Sequence, residues 1–219
     1  NTTGTQNTAV GANALDANTT ANNNTAMGYG ALGANTTGAM NVAIGSYALD
    51  ANTTASSNVA IGYDALTTNS TGANNVAIGY NTLAAATVDD NVGVGYNALA
   101  VNSTGSSNTA VGSAALDANT TASNNTAIGR LALTSNTTGE QNIAVGNSAL
   151  LDNVTGNHNV AVGYQSLKSN TGSNNTALGH VAMYANTTGT QNVAIGYAAL
   201  DANTTASYNT AIGYQALTA

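Results

Sequence analysis

The sequence predicts an all-β chain folded as a parallel β-solenoid, and three observations carry that prediction. One phrase recurs along all 219 residues. Within it, large and small residues alternate as they do on a strand, and its unit is too short to fold alone. With the Asn of the phrase at position 1, copies begin at Asn7, Asn24, Asn41, Asn58, Asn75, Asn91, Asn108, Asn125, Asn142, Asn159, Asn175, Asn192 and Asn209. The step is 17 residues, except after Asn75 and Asn159, where it is 16. The consensus reads N-[T/V]-A-[I/V]-G-Y-x-A-L-x-x-N-T-T-[G/A]-x-x.

Each part of the phrase has a physical reading. Position 4 is aliphatic or Met in every copy, position 3 is Ala except at Gly93, and position 5 is always Gly. That period-2 alternation signals a strand, and so much Asn, Thr and Gly would weaken any helix. Position 9 is Leu except at Met183. The short copies keep the N-[T/V]-A-[I/V]-G segment and lose a residue further on, in "NTLAAATVDD" and "SNTGSN". Length changes collect in turns, so positions 1–9 read as the structural element and positions 12–17 as turn.

Stacking the copies gives thirteen coils of 16–17 residues, about 4.8 Å apart and so about 60 Å long in all. Like residues then form ladders: aliphatic at position 4, Leu at position 9, Asn at positions 1 and 12. Taking the aliphatic positions as core places a Val/Ile/Leu seam inside. The Ala/Gly stripe at positions 3 and 5 then faces outward, where it could meet another subunit. The alternation equally allows the converse, a flattened coil with the small stripe inside. The array runs from 1 to 219 as one uncapped repeat domain, starting at position 12 of the phrase and stopping at position 11. Free solenoid ends invite further pairing, so the expectation is a segment of a longer fibre protein.

Composition excludes several partners. The chain has no Pro, Cys, Trp or Phe, and nine acids stand against only Arg130 and Lys168, for a net charge of −7. Nucleic acid and anionic membrane surfaces both call for clustered Lys and Arg. No apolar run has the length of a membrane span, and no signal peptide is visible. Without Cys there are no disulfides and no thiolate metal sites. His158 and His180 fall at different repeat positions, 17 and 6, and neither has a fixed carboxylate partner. Asp89 and Asp90 form the one adjacent acid pair, without the Gly-Asp spacing of calcium-binding β-helix repeats. Gly is frequent, but no phosphate-binding loop is formed. No enzyme activity, cofactor or metal site is expected.

Two sets of residues are candidates for surface function. Asn18, Asn35, Asn52, Asn69, Asn102, Asn119, Asn136, Asn153, Asn186 and Asn203 each begin an Asn-x-Thr sequence on an expected surface turn, the acceptor pattern for covalent glycans. Asn1, Asn23, Asn124 and Asn174 match it too. Asn and Thr are also ordinary turn formers, which accounts for the pattern without sugar. Position 6 is Tyr at Tyr29, Tyr63, Tyr80, Tyr96, Tyr164, Tyr197 and Tyr214, a broken stripe suited to a contact with sugar or another protomer, or to a half-buried edge of the core. The Thr content raises an ice-binding reading. Against it, Thr at positions 13 and 14 would point opposite ways on a strand.

The segment "NVAIG", at Asn41–Gly45, Asn58–Gly62, Asn75–Gly79 and Asn192–Gly196, resembles the N-S-V-A-I-G head repeats of trimeric autotransporter adhesins. Here the Ser after Asn is missing and each coil is longer. The full phrase, with its Asn-Thr-Thr-Gly turn, is also similar to repeat tracts of phage and bacterial tail-fibre-like proteins. The resemblance implies a left-handed β-roll, exposure at a cell or virion surface, and trimerisation. The expectation is therefore a stiff extracellular rod that self-associates, as a trimer or as a head-to-tail or lateral filament. An adhesin head that binds glycans and an ice-binding solenoid are the alternatives.

Overall fold

The computed structural model describes residues 1–218, in two compact units, Asn1–Ser107 and a second that begins at Asn108. Both are parallel β-solenoids. The first carries β1 (Thr8–Val10), β2 (Thr25–Met27), β3 (Val42–Ile44), β4 (Val59–Ile61), β5 (Val76–Ile78) and β6 (Val92–Val94). The second carries β7 (Thr109–Val111), β8 (Thr126–Ile128), β9 (Ile143–Val145), β10 (Val160–Val162), β11 (Thr176–Leu178), β12 (Val193–Ile195) and β13 (Thr210–Ile212). Within each unit the strands pair in chain order and position for position, as Thr25↔Val42, Ala26↔Ala43 and Met27↔Ile44 show. Register survives both short copies, with Val76 opposite Val92 and Val160 opposite Thr176. The missing residue is absorbed in the turn, as the indel pattern predicts.

The strand is shorter than the nine positions assigned to it. Only positions 2–4 are strand, because the chain turns at the glycine of position 5, where φ is +133° at Gly45. A Cβ on the equivalent Gly112 would stand 2.5 Å from the Gly129 carbonyl oxygen of the next coil, so only Gly fits there. Beyond it, residues at positions 7, 9 and 17 take left-handed φ, as at Tyr47 (59°), Leu49 (52°) and Ser57 (62°).

Pairing nonetheless continues around the whole coil. In the copy beginning at Asn41, the Val42 N–H donates to Asn58 O (2.9 Å), Leu49 to Ala65 O (3.0 Å) and Ala51 to Thr67 O (3.1 Å) in the next coil. The N–H groups of Gly45, Tyr47 and Ser57 donate back to Met27 O (2.8 Å), Tyr29 O (2.9 Å) and Ala39 O (3.0 Å). Thr36 adds a hydroxyl bond to Thr53 O (3.0 Å).

The core corrects the expected seam. Position 3 points inward and position 4 outward: Ala43 is 0% exposed, while Ile44 is 37% exposed. The interior is built from Ala at positions 3 and 8 and Leu at position 9, as with Ala43, Ala48 and Leu49. The narrowness of the coil is the reason, and Gly93 shows it. A Cβ there would meet Thr82 Cγ2 at 2.7 Å and Leu83 Cδ1 at 3.3 Å, the side chains at positions 8 and 9 of the preceding coil. Where Thr82 takes the place of the usual Ala at position 8, the strand opposite it has no room for even a methyl group. The small stripe is thus the packed face, and the aliphatic ladder is the outward one.

Candidate functional surfaces

The Asn ladders prove to be interior clasps. In the copy beginning at Asn24, the Nδ2 atoms of Asn24 (position 1) and Asn35 (position 12) both donate to Gly38 O, at 2.9 and 3.0 Å. One carbonyl at position 15 thereby receives two amides and ties the end of the coil to its start. The same pair of bonds closes the next copy, from Asn41 and Asn52 to Ala55 O at 2.9 and 3.1 Å. Along the axis, Asn41 N–H donates to Asn24 Oδ1 (2.9 Å), and Asn52 Nδ2 to Asn35 Oδ1 (2.8 Å).

This corrects the placement of the Asn-x-Thr residues on surface turns. Asn18, Asn35, Asn52, Asn69, Asn102, Asn119, Asn136, Asn153 and Asn186 are buried. Asn203 is half-buried and donates to Ala206 O (3.1 Å). The physical reason is that an amide satisfies a buried carbonyl and a neighbouring amide at once, which burial requires of any polar group. The Nδ2 atom that a glycan would need is therefore engaged inside the coil. Asn23, Asn124 and Asn174, at position 17, are exposed.

The position-6 tyrosines lie on the surface, about half exposed, from 45% at Tyr63 and Tyr197 to 73% at Tyr214. They stack along the axis. Ring centroids are 5.4 Å apart for Tyr63–Tyr80 and 5.5 Å for Tyr80–Tyr96, with planes 10° and 12° from parallel. In the second unit Tyr164, His180, Tyr197 and Tyr214 continue at 5.1–5.2 Å. His180, at position 6, belongs to this ladder, a role its repeat position could have shown. Tyr47, one position later, bridges Tyr29 and Tyr63 edge-on. Burial and then the neighbouring phenols Tyr29 and Tyr63 push the Tyr47 phenol up. Inside the stacks, at Tyr80, His180 and Tyr197, another ring lies on each side, which leaves the ring edges for other contacts.

A second outward surface is the strand face of positions 2 and 4, which carries Thr, Val, Ile, Leu and Met. No copy has a charged residue anywhere in positions 1–5; the acids fall at positions 7, 10, 11, 16 and 17. Burial and the neighbouring Asp64 raise the Asp50 carboxyl, and burial raises that of Asp117. Asp89 and Asp90 act as turn acceptors, taking bonds from Ala73 N–H (2.7 Å) and Asn74 Nδ2 (3.2 Å). Among the described residues, no group of three or more His, Asp or Glu side chains is placed to hold a metal ion. No helix among them is long and apolar enough to cross a membrane.

No family model matches the chain, and no curated protein or solved structure matches it either.

Proposed function

We propose that the chain is a structural repeat region of an extracellular fibre or filament, a stiff rod at a cell or virion surface that associates with further copies of itself. The supporting observation is that, within each unit, successive coils engage one another around the circumference through backbone bonds, joined by Asn and Thr ladders. Such a coil resists bending and local opening, because displacing it breaks bonds on every side at once. The work of the molecule would then be mechanical, with the repeated strand and Tyr faces offered to other copies or to a glycan. Electron micrographs of the purified protein, with its mass measured by light scattering, test this reading. Elongated particles that associate as trimers or filaments are expected; compact, strictly monomeric particles would sink it. Antibody labelling of intact source cells or virions tests the surface location.

One observation favours a second reading, ice binding. Positions 2 and 4 share an outward, uncharged and regularly spaced face, with Thr at Thr109, Thr126, Thr176 and Thr210 beside a row of aliphatic residues. A thermal-hysteresis measurement on the purified chain decides it. Freezing indistinguishable from that of an inert protein at equal concentration removes the reading.

A further inference from the structure

We propose that the parallel tyrosine stacks are sites of oxidative cross-linking, where a one-electron oxidant joins Tyr63 to Tyr80, Tyr80 to Tyr96 and Tyr197 to Tyr214 as dityrosine. Three observations carry this. These residues lie 16 or 17 apart in sequence, yet stacking holds the ring centroids 5.1–5.5 Å apart with nearly parallel planes. The rings are 45–73% exposed, so an oxidant reaches them, water takes their protons, and each ring is free to roll about its Cβ–Cγ bond. The chain has no Cys, so no disulfide can fasten its coils, whereas its ten Tyr supply rings that can be joined.

The chemistry balances without help from the protein. Each of two phenols gives one electron to the oxidant and its hydroxyl proton to water. The two phenoxyl radicals form one C–C bond between ortho carbons (Cε of each ring), and the hydrogens on those carbons then move to the oxygens. The product has lost two hydrogens, and the oxidant has gained two electrons. A peroxidase intermediate or a persulfate-driven photo-oxidant belongs to the required class. Because each joined pair sits on successive coils, every cross-link fastens one coil to the next.

The pattern of partners makes the proposal specific. Tyr208 is 77% exposed, more than any residue of the stacks, but among the described residues it has no ring stacked on it. Tyr164 has His180 as its stacking neighbour and not a phenol. Tyr29 and Tyr47 meet edge to face, at 84°. Exposure alone therefore favours Tyr208, whereas stacking favours the three named pairs.

The test is a brief light pulse on dilute, purified, full-length protein with tris(bipyridyl)ruthenium and persulfate, followed by dityrosine fluorescence, a denaturing gel and peptide mass spectrometry. A chain-sized product lighter by two hydrogens per cross-link is expected, with links at Tyr63–Tyr80, Tyr80–Tyr96 and Tyr197–Tyr214. Tyr80→Phe keeps a ring in the stack and should abolish both links of the first unit, leaving Tyr197–Tyr214 unchanged. The same pulse in concentrated urea should lose the preference for these pairs. The proposal is overturned if the links form mainly between molecules, involve Tyr208 as often as the stacked residues, or show the same pattern in urea.

Discussion

Asn136 sits wholly inside the second unit and makes three side-chain bonds: to Asn119 Oδ1 (3.0 Å), to Gly139 O (2.9 Å) and from Asn153 Nδ2 (3.3 Å). Asn136→Ala removes all three and leaves buried partners unpaired, so a loss of about 1–3 kcal/mol is expected in a urea titration. Asn136→Asp should cost more, since it sets a carboxylate against two oxygen acceptors. A natural interruption supports the argument: position 12 of the copy at Asn75 is Ala86, and the neighbouring Asn69 turns its Oδ1 to its own Gly72 N–H (3.0 Å). Asn52 Oδ1, one coil further back, is left without a partner. Because these sites are buried, mass spectrometry of folded protein should find no sugar on Asn136 or its ladder neighbours. Sequence reasoning found the ladder but set it outside, because Asn-Thr-Thr marks a turn without showing where the amide points. At Gly93 the missing methyl is replaced from across the core by Thr82 Cγ2. Gly93→Ala should therefore destabilise by about 1–3 kcal/mol, and adding Thr82→Ala should restore most of the loss.

For the strand as an element, the decisive property is parity. Alternation along β8 shows that Ala127 and Ile128 face opposite sides but does not say which side is interior. Size normally settles the matter in favour of the larger residue. Here the short path from strand to Leu turn reverses it, and that path depends on the glycine at position 5 and on left-handed residues at positions 7 and 9. Left-handed φ is costly for Leu, by about 1–2 kcal/mol, so nothing in a Leu-rich phrase announces it. Strand identity, register and the site of the indels were legible; the inward face and the end of the strand were not. Ile128→Asp should thus leave the β-sheet signal and the melting temperature nearly unchanged, while Ala127→Val should lower stability by about 1–3 kcal/mol through overpacking. Circular dichroism on the pair decides between the two parities.

At the scale of the whole molecule, charge gives a pH dependence with a definite sign. Burial raises the Asp50 and Asp117 carboxyls above their ordinary value, with Asp64 adding to the first. The folded chain therefore binds these protons more readily than the unfolded one. Their contribution is complete below the unfolded pKa and is lost as pH rises through the folded values. The melting temperature should accordingly rise from neutral to mildly acidic pH, and Asp117→Asn should flatten part of that rise. Relief of self-repulsion in a chain of net charge −7 acts in the same direction.

The ladders that join successive coils within each unit also bear on how the chain reaches its fold. Almost every backbone bond between coils spans about one repeat, 15 to 18 residues, wherever it lies. Lengthening such a chain adds no longer-range closures, so its relative contact order falls as copies accumulate. Formation of a first pair of coils is then the slow event, and each further copy zips onto an existing template. Refolding should keep nearly the same rate when one 17-residue copy, such as 41–57, is deleted.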